Sequence, residues 1–230
     1  MTYPNAYFPN GWPLLIERME RTAVDPGELD DLLAAGWRYF GPEFFRASVV
    51  EEDLLLKRQI ALRLDLDCFD PSRSQKRVRK KNRDLAVSIE PADPGSEEEE
   101  LFLLHRRRFR RNVPESLSNF LGSVPDGVPA PCLQVSVRRE GTLVAASFLS
   151  LGKTACSTIY GIFDPAESRR SLGILTMLLE IEHARDLGKK LYYSGYATVE
   201  PGCYDYKKGF RGLSYFRWDD GWRPGVDIFP

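Results

Sequence analysis

The sequence predicts an α/β fold in which a mixed, mostly antiparallel sheet is flanked by helices, with a smaller α/β half at the N-terminal end. Three observations carry that prediction. Residues 59–67 place Ile60, Leu62, Leu64 and Leu66 on one side and Arg63, Asp65 and Asp67 on the other, which is strand period with one face expected in solvent. Leu133 to Arg138, Leu143 to Leu151 and Ala155 to Phe163 read as three strands in series, the first two joined by a turn at Glu140-Gly141. The next segment carries Ile174, Leu175, Leu178, Ile181, Ala184 and Leu187 on one helical stripe closed by Gly188, and Leu191 to Gly195 returns as a strand.

The remaining elements follow from local signals. Asp25-Pro-Gly opens a helix over Glu28 to Ala35, and Gly36 is placed to end it. Asp70-Pro71-Ser72 opens a strongly cationic helix over Arg73 to Asp84. Pro91, Pro94 and Gly95 break the chain, which divides it into an N-terminal region, 1–92, and a C-terminal catalytic domain, 93–230. Glu97 to Asn112 reads as a helix with carboxylates in its first turn and arginines toward its end, as the helix dipole favours.

Composition bounds what the chain can do. With 230 residues, 43% of them hydrophobic and 28% charged, it can bury about 70% of its unfolded surface. The net charge of −1 is unevenly spread: Lys76 to Lys81 and Arg106 to Arg111 are basic, and Glu97 to Glu100 is acidic. A polyanionic partner must therefore meet a local patch. Met1 to Trp12 has neither a basic n-region nor an apolar h-region, and no apolar run approaches the roughly 20 residues of a membrane helix, so a cytoplasmic protein without membrane contact is expected. Cys68, Cys132, Cys156 and Cys203 are scattered without a C-x-x-C pair, so no zinc or iron-sulfur ligand set is spelled out and reduced thiols are expected. His105 and His183 sit in charged helices and read as surface residues.

The loop Ser168-Arg169-Arg170-Ser171-Leu172-Gly173 lies between a strand end and a helix start. Free backbone N–H groups, the positive end of the helix dipole and two arginines meet there, which suits a phosphate group. Read alone, the same residues also fit surface arginines beside a glycine that eases helix packing. Arg170-Ser-Leu-Gly173-Ile-Leu175 resembles the pyrophosphate loop of GNAT acyltransferases, except that Leu175 stands where that family has a small residue. The strand and helix order is similar to the core of that fold.

A closer resemblance runs along nearly the whole chain. Phe163-Asp-Pro-Ala-Glu-Ser-Arg-Arg-Ser-Leu-Gly173 resembles the F-D-P-x-x-S-R-R-S-L-G signature of the aminoacyl-tRNA-protein transferases, the arginyltransferases and their bacterial aspartate/glutamate leucyltransferase counterparts. Gly36-Trp-Arg-Tyr-Phe-Gly41 with Phe44-Phe45-Arg46, then Phe69 to Arg77 with Lys81-Asn82-Arg83-Asp84, match two further elements of that family. Leu191 to Tyr196, Tyr206-Lys207, Phe210-Arg211 and Trp222 resemble its C-terminal pattern.

The resemblance implies a GNAT-like acyltransferase fold and transfer of arginine or leucine from aminoacyl-tRNA to an amine, in the family the N-terminal Asp or Glu of a protein. It implies no cofactor and no metal, because the ester is already activated. Arg73, Lys76, Arg77, Lys80, Lys81 and Asn82 are then expected at the tRNA, with Ser168, Arg169, Arg170 and Gly173 at its acceptor end. Tyr196, Tyr206 and Lys207 are placed to flank the terminal adenosine or the aminoacyl group, with Arg211 nearby and Tyr196 also a catalytic candidate. Asp164 is a candidate for orienting or deprotonating the amine, or else a helix-capping aspartate.

Two departures touch the acceptor. The family's cysteine cluster after F-F-R-P is absent, and Ala47 to Leu56 stands in its place. Glu200-Pro-Gly-Cys-Tyr204 replaces the family's G-C-P-K-M. The acceptor is therefore left open between a protein, a peptide and a small amine. A coenzyme A-dependent N-acyltransferase and a non-catalytic tRNA-binding homologue are the competing readings.

Overall fold

The computed structural model describes residues 7–8, 11–52, 54–109, 113–122 and 129–225. Two short strands, β1 (Tyr7–Phe8) and β2 (Trp12–Pro13), pair with each other. β3 (Ile16–Glu20), α1 (Pro26–Ala34), β4 (Arg38–Phe40) and β5 (Glu43–Ala47) build a small unit whose antiparallel sheet has the order β3-β5-β4. Asp25 caps α1 by accepting from the N–H groups of Gly27 and Glu28, and Gly36 turns the chain out of it at φ +85°.

The chain continues through β6 (Val49–Glu52), β7 (Leu55–Asp65), α2 (Arg73–Lys81), β8 (Ala86–Pro91), α3 (Ser96–His105) and α4 (Ser118–Leu121). It then forms β9 (Cys132–Arg139), β10 (Thr142–Leu151), β11 (Ala155–Phe163), α5 (Leu172–Asp186), β12 (Leu191–Thr198), β13 (Leu213–Arg217) and β14 (Gly221–Pro224). These strands make one large sheet in the order β14-β13-β7-β12-β11-β10-β9-β8, with β6 beside β7. Every pair in it is antiparallel except β11 with β12, which α5 connects. The succession β9-β10-β11-α5-β12 is the GNAT core order expected from the sequence.

β7 belongs to the first half of the chain yet sits between β12 and β13, and β8 pairs with β9, so both halves contribute to one sheet. This placement corrects the expectation of a solvated face on β7. Ile60, Leu62 and Leu64 are fully buried as expected, but the opposite face is also covered: Ala61 is buried, and Arg63 lies under the Trp222 ring at 4.1 Å.

α3 ends at His105, and Arg106–Arg108 continue as a 3-10 turn; residues 110–112 of the expected helix lie outside those described. His105 is a second correction. Glu98, Leu101, Phe102 and His105 share the buried face of α3, so the ring is 3% exposed and packs against Phe163 and Tyr160. Among the described residues no helix is long and apolar enough to cross a membrane.

Candidate active site

The parallel pairing of β11 with β12 covers only Ala155, Cys156 and Ser157 against Leu191, Tyr192 and Tyr193. Beyond Ser157 and Tyr193 the two strands part. Gly195, at φ +94°, accompanies the break, because the register of β12 on β7 shifts between Tyr193 and Gly195. Parted strands leave backbone groups without ladder partners, and such groups must find others when buried.

Arg38, delivered by β4, fills that gap. Its guanidinium donates to Ser157 Oγ and to the Thr158 carbonyl oxygen, and it is 7% exposed. Thr158 Oγ1 in turn donates to Glu180 Oε1 at 3.2 Å, and the Tyr192 hydroxyl donates to Glu180 Oε2. Glu180 is wholly buried, and desolvation pushes its carboxyl up to about 7. A buried polar network therefore ties β4, β11, β12 and α5 together beneath the parting strands.

Above this network lies a cavity of about 740 Å³. Phe40, Phe45, Phe109, Phe120, Tyr160 and Phe163 give it aromatic walls, with Phe120 and Tyr160 stacked at 3.7 Å between centroids. Its basic lining groups are Arg38, Arg108 and Lys207, with His105 beside them, and no Asp or Glu lines it among the described residues. Arg108 lies over the Phe163 ring at 4.4 Å. Ser194 and Tyr160 line the same cavity, and Ser194 Oγ and the Tyr160 hydroxyl are buried without a hydrogen-bond partner among the described residues. Buried polar atoms normally have partners, so these two are suited to a polar ligand.

The expected phosphate loop borders the cavity. Ser168, Ser171 and Gly173 line it, and Ser171 takes a left-handed conformation, φ 57° and ψ 46°, at the N-terminus of α5. The first N–H groups of a helix lack intrahelical acceptors, so this end attracts an anion. Arg169 is exposed beside it.

Arg170 does something else. Its guanidinium makes paired bonds of 2.9 Å to both oxygens of Asp84 and one of 2.8 Å to Glu167. These carboxylates occupy the donors that a phosphate would need, so Arg170 holds the loop rather than standing open to a ligand.

The basic helix α2 is joined to the same loop. Ser72 and Gln75 close a capping box at its start. At its other end Lys81 Nζ donates to the Arg169 carbonyl, and Asn82 Nδ2 donates to the Arg170 carbonyl at 3.0 Å. Asn82 is thus a fastening residue. Arg73, Lys76, Arg77 and Lys80 are exposed, and Lys76 and Arg211 share Asp70 at 3.2 and 2.8 Å.

The structure separates the remaining candidates. Asp164 caps the 3-10 turn that follows β11, accepting from the Ala166 N–H at 2.8 Å, and does not line the cavity. Tyr196 lines it, but its hydroxyl donates to the Gly36 carbonyl at 2.7 Å, which joins β12 to the N-terminal unit. Tyr206 and Lys207 form part of the cavity wall. Burial, reinforced by Arg38, lowers the Lys207 ammonium to about 7. Cys203 lines the rim, where desolvation and then Glu52 raise its thiol, keeping it protonated near neutral pH. Among the described residues no group of three or more His, Cys, Asp or Glu is arranged to hold a metal.

Arg38, Glu180 and Arg108 had no assigned role in the sequence. Arg38 lies inside the Gly36–Gly41 element, and Glu180 interrupts an apolar face between Met177 and Ala184; both signals were available.

The chain is similar along most of its length to proteins of known type. The aspartate/glutamate leucyltransferase of Aeromonas hydrophila subsp. hydrophila is 28% identical over 203 residues, covering 85% of this chain and 81% of that protein. Its namesake in Aeromonas salmonicida is 27% identical over 223 residues, covering 94% and 89%. A crystal structure of FemX shares the fold at a TM-score of 0.50 and 11% identity, over 76% of this chain and 61% of that one. The family profile described as "Arginine-tRNA-protein transferase, C terminus" matches residues 97–217, more than half of the chain. Those residues include the parting strands, the loop that opens α5 and the Tyr206-Lys207 wall, and the chain belongs to this family of tRNA-dependent transferases.

Proposed function

We propose that the protein transfers leucine, in preference to arginine, from its charged tRNA to the N-terminal amine of a protein or peptide that begins with Asp or Glu. The observation that carries this reading is the composition of the cavity: aromatic walls, basic groups at the base and rim, and no lining carboxylate among the described residues. An isobutyl side chain is well accommodated by aromatic faces, whereas an arginyl side chain would bring a guanidinium into a cavity already holding the guanidiniums of Arg38 and Arg108. The same cations suit an acidic acceptor. The leucyltransferase relatives carry the same donor and acceptor in their name.

In this reading the last phosphates of the tRNA meet the N-terminus of α5 and the exposed cations of α2, and its ester enters the cavity. The acceptor amine adds to the ester carbonyl carbon, a C–N bond forms, and the bond to the ribose oxygen breaks. The ester is already activated, so most of the acceleration comes from holding amine and ester in line. Ser194 Oγ and the Tyr160 hydroxyl, without a partner among the described residues, would donate to the carbonyl oxygen as it gains charge once a substrate opens a path to them.

The test supplies leucyl-tRNA and arginyl-tRNA separately, with peptides beginning Asp, Glu, Leu or Lys. Ribonuclease-sensitive transfer of leucine to the acidic peptides is expected, at least tenfold faster than transfer of arginine. Arginine transfer at the higher rate would reverse the donor, and acetyl transfer from acetyl-CoA without any use of charged tRNA would replace the reading.

A further inference from the structure

We propose that Lys207 is the general base of the transfer, taking the proton that the acceptor's α-ammonium must lose before its nitrogen can attack the ester. The inference rests on the aminoacyl-transfer reading and assigns its proton acceptor.

The geometry singles out this amine. Lys207 Nζ and Arg38 Nη2 both approach the open face of Gly195: a Cβ placed there would lie 3.3 Å from the one and 3.6 Å from the other. Both cationic heads therefore meet where β12 leaves β11, at the base of the cavity. Two positive charges flanking one glycine in a desolvated site disfavour each other, as Arg38 does the Lys207 ammonium, and guanidinium does not give up its proton. The lysine is left to do so. Lys207 has no ion pair among the described residues; its Nζ lies over the Tyr204 ring at 4.5 Å.

The groups facing Lys207 are Arg38 from β4, Glu180 from α5, and Cys203 and Tyr204 from its own segment. Desolvation and Arg38 lower its affinity for a proton, Cys203 and Glu180 raise it, and the balance lies at about 7.

Other cavity groups fit the task less well. His105 Nδ1 lies 3.1 Å from the Phe163 backbone N and accepts its N–H, and the ring titrates at about 4. The Tyr196 hydroxyl is bonded to Gly36, and the Cys203 thiol is raised. Asp164 lies outside the cavity lining.

The step balances as follows. Neutral Lys207 takes one proton from the acceptor ammonium. The freed amine forms the C–N bond, its second proton leaves with the ribose oxygen as the C–O bond breaks, and Lys207 returns its proton to solvent. An acceptor amine with a pKa near 8 is well matched to a base near 7.

Lys207→Met and Lys207→Arg distinguish a base from a charge that anchors the acceptor carboxylate. The base reading predicts a kcat loss on the order of 100-fold in both variants at pH 7, because arginine keeps the charge but not a usable lone pair. It also predicts that wild-type kcat falls tenfold per pH unit below about pH 7, and that in both variants this limb moves up to the acceptor amine's own pKa near 8. With hydroxylamine as acceptor, already uncharged at neutral pH, the losses shrink below tenfold. Unchanged thermal melting shows that the variants are folded. Retention of activity in Lys207→Arg, or a rise in acceptor KM with the pH limb still at about pH 7, overturns the base. Absence of aminoacyl transfer by the wild type overturns the parent reading and this one together.

Discussion

Glu180 and His105 are buried ionisable side chains that pull stability in opposite directions with pH. His105 titrates at about 4 when folded, against an ordinary 6.5, because burial disfavours its charged ring. Between those values the unfolded chain holds a proton that the folded one lacks, so stability rises with pH through that window. Glu180 titrates at about 7 when folded, against 4.5, so there the folded chain holds the extra proton and stability falls as pH rises from 4.5 to 7. The slopes oppose each other where the windows overlap. Glu180→Gln removes one of them, and its unfolding free energy is expected to rise by about 2 kcal/mol between pH 4.5 and 6.5, a rise absent from the wild type. Urea titrations at four pH values check this, and parallel curves for the two proteins would count against it. The inward turn of His105 was legible in the i, i+3, i+4, i+7 spacing of Glu98, Leu101, Phe102 and His105. The arginines that follow hide it, because they make the whole segment read as a solvated helix end.

The principal link between elements around the site is the fastening of α2 to the N-terminus of α5. Arg170 bonds both Asp84 oxygens, and Asn82 and Lys81 hold the carbonyls of Arg170 and Arg169. The geometry of the N-terminus of α5, where the tRNA phosphate is proposed to sit, thus depends on a segment 86 residues away in the chain. A double-mutant cycle on Asp84→Asn and Arg170→Gln is expected to give a small favourable coupling, as solvent screening of an exposed pair allows. Each single variant should slow transfer by displacing the loop, and the double variant should be no slower than Arg170→Gln alone. Additive losses would show that Arg170 meets the substrate directly. Sequence motifs located both partners, assigned Arg170 to the nucleic acid and gave Asp84 no role. Charge and position in a loop are the same for an arginine that binds phosphate and for one that braces a turn. Only the carboxylates opposite it separate the two. The strands β9 to β12 and α5 were legible from periodicity, whereas the insertion of β7 between β12 and β13 was not, because period reveals a strand and its apolar face but not which strands flank it.

At the scale of the whole molecule, a net charge of −1 coexists with a local cationic surface, and the cavity gathers β4 and β5, β11 and β12, the start of α5 and the 203–207 segment from distant parts of the chain. No sequence window contains that assembly, which is why its aromatic walls were invisible while the motifs on its rim were not. The division of labour has a measurable consequence. Arg73, Arg77 and Lys80 stand on exposed turns of α2, and among the described residues the ion pairs of that helix, Lys76 with Asp70 and Arg79 with Glu182, do not engage them. If they neutralise tRNA phosphates, replacing all three by glutamine should release fewer counterions on binding, and the slope of log K against log salt should flatten by about 2 to 3. Binding to uncharged tRNA, measured between roughly 50 and 200 mM salt, gives that slope. Transfer from leucyl-adenosine, which has the ester but none of the tRNA body, should proceed at the wild-type rate in the same triple variant. An unchanged salt slope would remove α2 from the tRNA path, and a loss of leucyl-adenosine transfer would mean that the helix shapes the cavity itself.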